Sequence, residues 1–249
     1  MIGPDRASPA PLGVVIPTLD EEEDLPLLLA DLRALRLPTE IVIADGGSRD
    51  ATLVIVERWE LRIVQTLAGR ARQMNAGALR LSTPWLLFLH ADSRLPPSTI
   101  DALEAWLAKA PKDGAAYFGF RFAAKGPWWR IIEWGQRIRE RLTGLAYGDQ
   151  GLLLSRARYD ALGGIPDLPL MEDVEAVRRL RRTGGIARIN APILTSPRRY
   201  REEGPFLGWI RNAALISLYA VGLPPRFLAR WYRPRRWVEG AKVAAGPTS

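Results

Sequence analysis

His90 and Asp92 close the stretch "WLLFLHADSRLP", Trp85 to Pro96, and His90 is the one histidine in 249 residues. Residues i and i+2 at a strand end project to the same side, so this pair can address one cation or one diphosphate. Other carboxylates gather in similar places. "IPTLDEEED" carries Asp20 to Asp24 after one apolar run, "IVIADGGSRD" carries Asp45 after another, and "LMEDVEAVRRLRRTGG" puts Glu172 and Asp173 at the head of a helix. Carboxylates at such positions can hold Mg²⁺ or Mn²⁺, accept a proton, or accept an N–H from a base. Each also has a plainer role. Glu22, Glu23 and Asp24, like Glu172 and Glu175, suit the positive end of a helix, and Asp45 can close a turn with Gly46-Gly47. Ser48 or Asp50 can cap the helix that follows. The chain has no cysteine, which excludes a thiolate nucleophile, a disulfide framework and Cys-based metal centres. Any metal must therefore sit on oxygen ligands, with His90 the only imidazole on offer.

Bringing these positions together requires strands whose ends converge. "GVVIP" (Gly13–Pro17), "EIVIAD" (Glu40–Asp45), "LRIVQT" (Leu61–Thr66) and "WLLFLH" (Trp85–His90) are short apolar runs rich in branched residues and read as buried strands. Helical spacing separates them at Leu25–Leu37, Arg49–Trp59, Arg70–Leu81 and Ser98–Ala110, the last with Ser98 and Asp101 as a capping box behind Pro96-Pro97. Arg70 and Arg80 read as surface residues of their helix. This βαβα alternation predicts a mainly parallel sheet with helices on both faces, whose ligand crevice lies beyond the carboxyl ends of the strands. Asp20, Glu21, Asp45 and Asp92 then share one rim.

After Pro111 the pattern becomes α+β. "AAYFGFRF" alternates as a strand, "PWWRIIEWGQRIRERL" is a Trp- and Arg-rich helix, "GLLLS" is a short strand, and Glu172–Thr183 is a helix stopped by Gly184. Repeats and low-complexity tracts are missing. The division expected is a leader over 1–12 without an apolar signal core, a catalytic domain over 13–203 made of a nucleotide half (13–110) and an acceptor half (111–203), and a basic amphipathic helical tail over 204–249. No Gly-x-Gly-x-x-Gly follows the first strand and no Gly-Lys-Ser/Thr loop is present, so a dinucleotide fold and a P-loop kinase are both disfavoured.

Six strings, "VVIPTLDEE", "IVIADGGSRDAT", "GRARQMNAGA", "LLFLHADSRLP", "GDQGLLLSR" and "PLMEDVEAVRRLRRTGG", fall in the order and spacing of the family 2 glycosyltransferases of GT-A fold, and the chain resembles that family over roughly residues 13 to 190. The wording of "GRARQMNAGA", "HADSRLP" and "PLMEDVE" is most similar to a bacterial subgroup found near selenium- and arsenic-related genes, whose acceptors are not carried over. The resemblance implies an inverting, metal-dependent transfer of a single sugar from a UDP- or GDP-sugar to a small-molecule or lipid-linked hydroxyl acceptor. By the same likeness Pro17, Thr18, Asp20 and Glu21 line the nucleoside pocket and Asp45 accepts from the base. Arg72 meets phosphate or base with Asn75 on the same rim, and Gly69 and Gly77 allow tight packing. Where the family carries Asp-x-Asp, this chain has His90-Ala91-Asp92. Asp92 matches the metal-binding aspartate, and His90 stands at the first acidic position, where a ribose or water contact suits an imidazole better than Mg²⁺ does. Asp173 is the implied general base, Glu172 orients it or the acceptor, and Asp149 and Gln150 border the sugar or acceptor pocket. Arg198 and Arg199 in "TSPRRYREEG" are either a lid that clamps the departing diphosphate or an ordinary surface loop.

The net charge of +8 is uneven, with ten Lys/Arg against three Asp/Glu in residues 198–249, a net of +7. Such a patch seeks phosphate or an anionic surface. The apolar stretch Phe206–Leu223 is marginal for a bilayer span, carries Arg211 and Asn212, and is broken by Pro224-Pro225. An interfacial helix, packing on the domain and a homodimer contact all fit it. "PRRW" lacks the glutamine that processive synthases carry before such a motif, so that likeness is discarded. The expected place is cytoplasmic, peripheral at the inner face of the membrane. Two competing functions remain. A sugar-phosphate nucleotidyltransferase would need a basic Gly-rich loop where "TLDEEED" is acidic, and a non-catalytic membrane-associated or RNA-binding protein would rest on the tail alone. No recognised RNA-binding module occurs, so nucleic acid is not an expected partner.

Overall fold

The computed structural model describes residues 11–143, 148–198 and 205–232. Eight strands among them form one sheet in the order β3-β2-β1-β4-β7-β6-β8-β5. These are β1 (Leu12–Thr18), β2 (Thr39–Asp45), β3 (Arg62–Gln65), β4 (Trp85–Phe88), β5 (Ser93–Arg94), β6 (Ala115–Phe122), β7 (Leu152–Ser155) and β8 (Ala187–Thr195). The helices are α1 (Leu25–Leu32), α2 (Thr52–Arg58), α3 (Arg70–Ala78), α4 (Pro97–Leu107), α5 (Pro127–Thr143), α6 (Arg156–Leu162), α7 (Glu172–Arg182), α8 (Pro205–Ala220) and α9 (Pro225–Trp231).

β3, β2, β1 and β4 are parallel, as the βαβα pattern requires, whereas β7 runs antiparallel between β4 and β6. The period of two along β1 sorts its side chains between two cores. Val14 and Ile16 join the cluster made with Leu25, Leu28, Ile100 and Leu103, while Val15 joins the one made with Ala71, Met74, Tyr159 and Val177. Helices α1 and α4 thus cover one face, and α3, α6 and α7 the other. Tight approach is built in at Gly77 of α3, where a Cβ would lie 2.5 Å from Val15 Cγ1. That agrees with the packing role expected of this glycine.

Several boundaries differ from the sequence reading. α1 ends at Leu32 rather than Leu37, with Arg33 as its C-cap; Pro38 disfavours helical backbone at Leu37 alone. Ser98 and Asp101 form no capping box. Pro96 is the N-cap of α4, no side chain caps it, and Asp101 instead pairs with Arg36 at 2.8 Å. β5, α6 and β8 were not anticipated. β8 carries Pro192 and a register shift against β6 at Phe118/Gly119, which hid its alternation.

The tail is partly settled by packing. Leu215 of α8 and Leu228 of α9 are buried against Leu170, Met171 and Val174, and Tyr219 Oη donates to Glu175 Oε2 at 2.9 Å. The described part of the tail therefore leans on the head of α7. No helix among the described residues is long and apolar enough to cross a membrane.

Candidate active site

In the order β3-β2-β1-β4 the chain winds outward from β1 in both directions, which leaves a crevice beyond the ends of β1 and β4. Pro17, Thr18, Leu19 and Glu21 line it from β1, His90, Ala91 and Asp92 from β4, and Arg70 and Gln73 from α3. β4 keeps its partner for one residue past its formal end, with Leu89 N donating to Val15 O at 3.1 Å. Ser93 N then donates to His90 O at 3.1 Å, and this turn aims Ala91 and Asp92 at the mouth.

The loop after β1 is fastened to the loop after β2. Asp20 sits at φ 55°, its backbone N donates to Ser48 Oγ at 3.0 Å, and its Oδ1 accepts from Arg49 N at 2.8 Å. Glu21 N donates to Thr52 Oγ1 at 2.8 Å. Asp45 is wholly buried. Its Oδ2 accepts from Gly47 N at 2.8 Å and Ser48 N at 3.0 Å, and its Oδ1 accepts from Thr18 Oγ1 at 3.2 Å and from Ser48 Oγ. Four donors fill the capacity of a carboxylate. The geometry thus realises the turn-closing reading of Asp45, and a base N–H can reach it only by displacing one of these donors.

Helix α3 corrects the sequence reading most. Arg70, Gln73, Met74 and Gly77 fall at i, i+3, i+4 and i+7, so Arg70 faces the crevice and not the surface. Its Nη1 lies 3.0 Å from Glu172 Oε1. Arg72, expected at the nucleotide, points outward and pairs with Asp167 at 3.3 Å, both side chains more than half exposed. Asn75 turns to the protein instead. Its Nδ2 donates to Ile165 O at 2.8 Å, and its Oδ1 accepts from Tyr159 Oη and Ile165 N, each at 2.8 Å. Gln73, which the sequence reading missed, is buried and donates to Thr18 O at 2.7 Å and Ala44 O at 2.8 Å. It staples the ends of β1 and β2 that form the rim.

The α7 pair reaches this rim through Arg70. Glu172 is buried, and burial pushes its carboxyl above the ordinary range, with Arg70 pulling it down and Asp173 pushing it further up. Burial opposes the charge on Arg70, but Glu172, Tyr232, Asp173 and Asp92 around it more than offset that, so its pKa stands above the usual arginine value. Asp173 Oδ1 accepts from Val174 N at 2.7 Å, which orients the carboxylate at the first turn. Buried Arg158 fixes the other end of α7, donating to Thr183 O at 2.6 Å, Leu180 O at 3.0 Å and Gly185 O at 2.8 Å.

Arg198 does reach the site, on its acidic side. It donates to Glu21 at 2.9 Å and Glu23 at 3.0 Å and lies 3.3 Å from Asp24, while Ser196 N donates to Asp92 O at 3.0 Å. Ser196 and Arg198, just after β8, are thereby tied to Asp92 and Glu21 of the crevice lining. Arg199 lies outside the described residues. Gln150 is buried and donates to Phe118 O at 3.0 Å and Glu140 Oε2 at 3.3 Å, so it braces β6 against α5, and the backbone O of half-buried Asp149 accepts from Thr195 Oγ1 at 3.4 Å.

A divalent cation fits this donor set. Among the described residues no three His, Asp or Glu side chains converge into a metal centre. Asp92 in a crevice that also holds Arg70 matches how Mg²⁺ or Mn²⁺ is held jointly by one carboxylate and a nucleotide's phosphates. Because Arg70 and Arg72 face opposite ways, they separate cleanly in a stability assay. Arg70→Ala is expected to cost about 3 kcal/mol by stranding buried Glu172, and Arg72→Ala under about 0.5 kcal/mol, both read from urea melts.

Comparisons with known proteins bear on the family and the fold. The family model described as glycosyl transferase family 2 matches residues 13–155. An uncharacterised glycosyltransferase of Mycobacterium tuberculosis is 28% identical over 138 residues, covering 52% of this chain and 61% of the relative. An undecaprenyl-phosphate 4-deoxy-4-formamido-L-arabinose transferase of Serratia proteamaculans is 29% identical over 165 residues, 59% of this chain and 48% of the relative. The chain thus spans about half to three fifths of the length of these relatives. Among solved structures, glucosyl-3-phosphoglycerate synthase from Mycobacterium tuberculosis, in complex with Mn²⁺, UDP and phosphoglyceric acid, superposes with a TM-score of 0.62 at 18% identity over 86% of this chain and 80% of that one. The mannosyltransferase PcManGT from Pyrobaculum calidifontis, in complex with GDP-Man and Mn²⁺, gives 0.62 at 19% identity over 99% of this chain and 79% of that one. Both share the GT-A fold.

Proposed function

The chain belongs to glycosyl transferase family 2, and we propose that it moves one sugar, with inversion, from a nucleoside diphosphate sugar to a hydroxyl acceptor. The observation that carries this is the Arg70–Glu172 bridge. It joins the crevice lined by Asp92 to the head of α7, where Asp173 follows Glu172, so the Arg70 guanidinium lies within electrostatic reach of both Asp92 and Asp173. The solved relatives with Mn²⁺ and UDP or GDP-mannose support the donor class.

In this reading Asp92 holds Mg²⁺ or Mn²⁺ against the donor diphosphate, and the ion supplies charge neutralisation for the leaving group. Glu172 takes one of Arg70's five N–H donors, and the others serve the diphosphate at the mouth. Asp173 removes the proton from the acceptor hydroxyl. The acceptor oxygen then bonds to the anomeric carbon as its bond to phosphate oxygen breaks, the electron pair leaves with the nucleoside diphosphate, and the proton stays on Asp173. Pro17, Thr18, Asp20 and Glu21 bound the nucleoside, His90 meets ribose or water, and Arg198 with Arg199 closes over the diphosphate. The basic tail rests on the inner face of a membrane, and the acceptor is a lipid-linked or small-molecule hydroxyl. A panel of UDP- and GDP-sugars assayed for hydrolysis and transfer with Mn²⁺ or Mg²⁺ tests the proposal. Metal-stimulated turnover of at least one donor is expected, and inertness toward all of them counts against it.

A further inference from the structure

Helix α5 buries two polar side chains and exposes two large apolar ones. Its buried face holds Glu133 and Gln136, each 9% exposed, while Ile131 and Trp134 stand outward at 55% and 64%. The inward polar residues have work there, since Glu133 Oε1 accepts from Phe122 N at 3.0 Å and holds the helix against β6. Ile132, Phe120 and Phe122 supply the apolar packing, with Trp128 and Trp129 beside them. Nothing in that arrangement requires an outward isoleucine and tryptophan one turn apart. Burying Glu133 and Gln136 while exposing Ile131 and Trp134 reverses the usual economy of a surface helix.

We propose that this outward face of α5 seats the protein on an anionic lipid bilayer, with Ile131 and Trp134 entering the headgroup region. Charge selects this occupant over an apolar protein partner. Between Arg121 and Arg139 the chain has five cations and one acid, and that acid, Glu133, is the buried one. Arg130 and Arg137 flank the two apolar side chains as the basic rim of an interfacial helix does, Arg137 also lying 3.7 Å from Glu133 Oε2. A second surface repeats the pattern independently: Val221, Phe227 and Trp231 are exposed at 76%, 47% and 68%, with Arg226 and Arg230 between them. At its far end α5 carries Glu140, whose Oε2 accepts from buried Gln150 at 3.3 Å. The inference extends membrane placement from the tail to the catalytic domain, and it stands without the transfer chemistry.

Flotation of the full chain with vesicles of phosphatidylcholine alone, or of phosphatidylcholine with phosphatidylglycerol, tests it. The intact protein should float with the anionic vesicles, and Ile131→Ser/Trp134→Ser should lower the bound fraction at least about tenfold. Arg130→Glu should weaken anionic binding without altering the melting temperature. Because these residues lie away from the crevice, nucleotide binding should survive in each variant, so a failed donor assay and a failed flotation are separate results. Binding by the double variant equal to that of the intact chain overturns the proposal, as does an intact chain that ignores anionic vesicles. A dimer seen by light scattering that the double variant dissolves would assign the face to a second copy and overturn it too.

Discussion

Replacing Asp173 with asparagine should slow sugar transfer by about 10²- to 10⁴-fold, the contribution of a positioned general base, while donor affinity changes by less than about twofold because asparagine keeps the size and the acceptor oxygen that Val174 N uses. Single-turnover transfer with a saturating donor measures the first quantity and nucleotide titration the second. The assignment favours Asp173 over Glu172 for a physical reason. Glu172 is buried and bound to Arg70, and a carboxylate spent on a buried ion pair is poorly placed to take a proton from an incoming hydroxyl. Glu172→Gln should therefore act through Arg70, raising the donor KM more than it lowers kcat. An Asp173→Asn enzyme with full kcat would move the base elsewhere on the rim.

Asp92→Ala should be as damaging, with transfer falling at least about 10³-fold, since several kcal/mol of leaving-group stabilisation go with the cation. Its effect should differ in kind. Donor affinity should fall with kcat, and added Mn²⁺ should no longer change either. His90→Asp restores the acidic spacing of the family and should be tolerated far better than loss of Asp92. His90 lines the crevice but also gives its backbone carbonyl to the turn at Ser93, a task independent of its side chain.

The parallel half was legible because its strands are nearly uninterrupted apolar runs. Val14, Val15 and Ile16 are all fully buried, and such a run has few alternatives to a central strand. The same logic put Asp92, His90 and the β1 loop at one rim, since strand ends in this topology share a side. Arg70 was missed although its period was on view, because a charged residue at the start of a helix is ordinarily solvated. Its partner Glu172 is 102 positions away, and nothing local announces the bridge. Arg72 and Asn75 were misplaced for the converse reason. A motif matched as a string does not say which of its side chains faces the ligand, and here Asn75 is consumed by Ile165 and Tyr159. β8 was lost because Pro192 and a bulge break its alternation. The inverted face of α5 was present in the letters "RIIEW", but only packing against β6 tells which side is inward.

The crevice between β1 and β4 is expected to bind a nucleoside diphosphate through a cation on Asp92. Isothermal titration of UDP and GDP into the intact protein and into Asp92→Ala, each with and without Mn²⁺, tests it most directly. At least one nucleotide should bind, with an affinity that Mn²⁺ strengthens about tenfold or more in the intact protein and leaves unchanged in the variant. Equal, Mn²⁺-independent affinities in the two proteins, or no nucleotide binding at all, would contradict it.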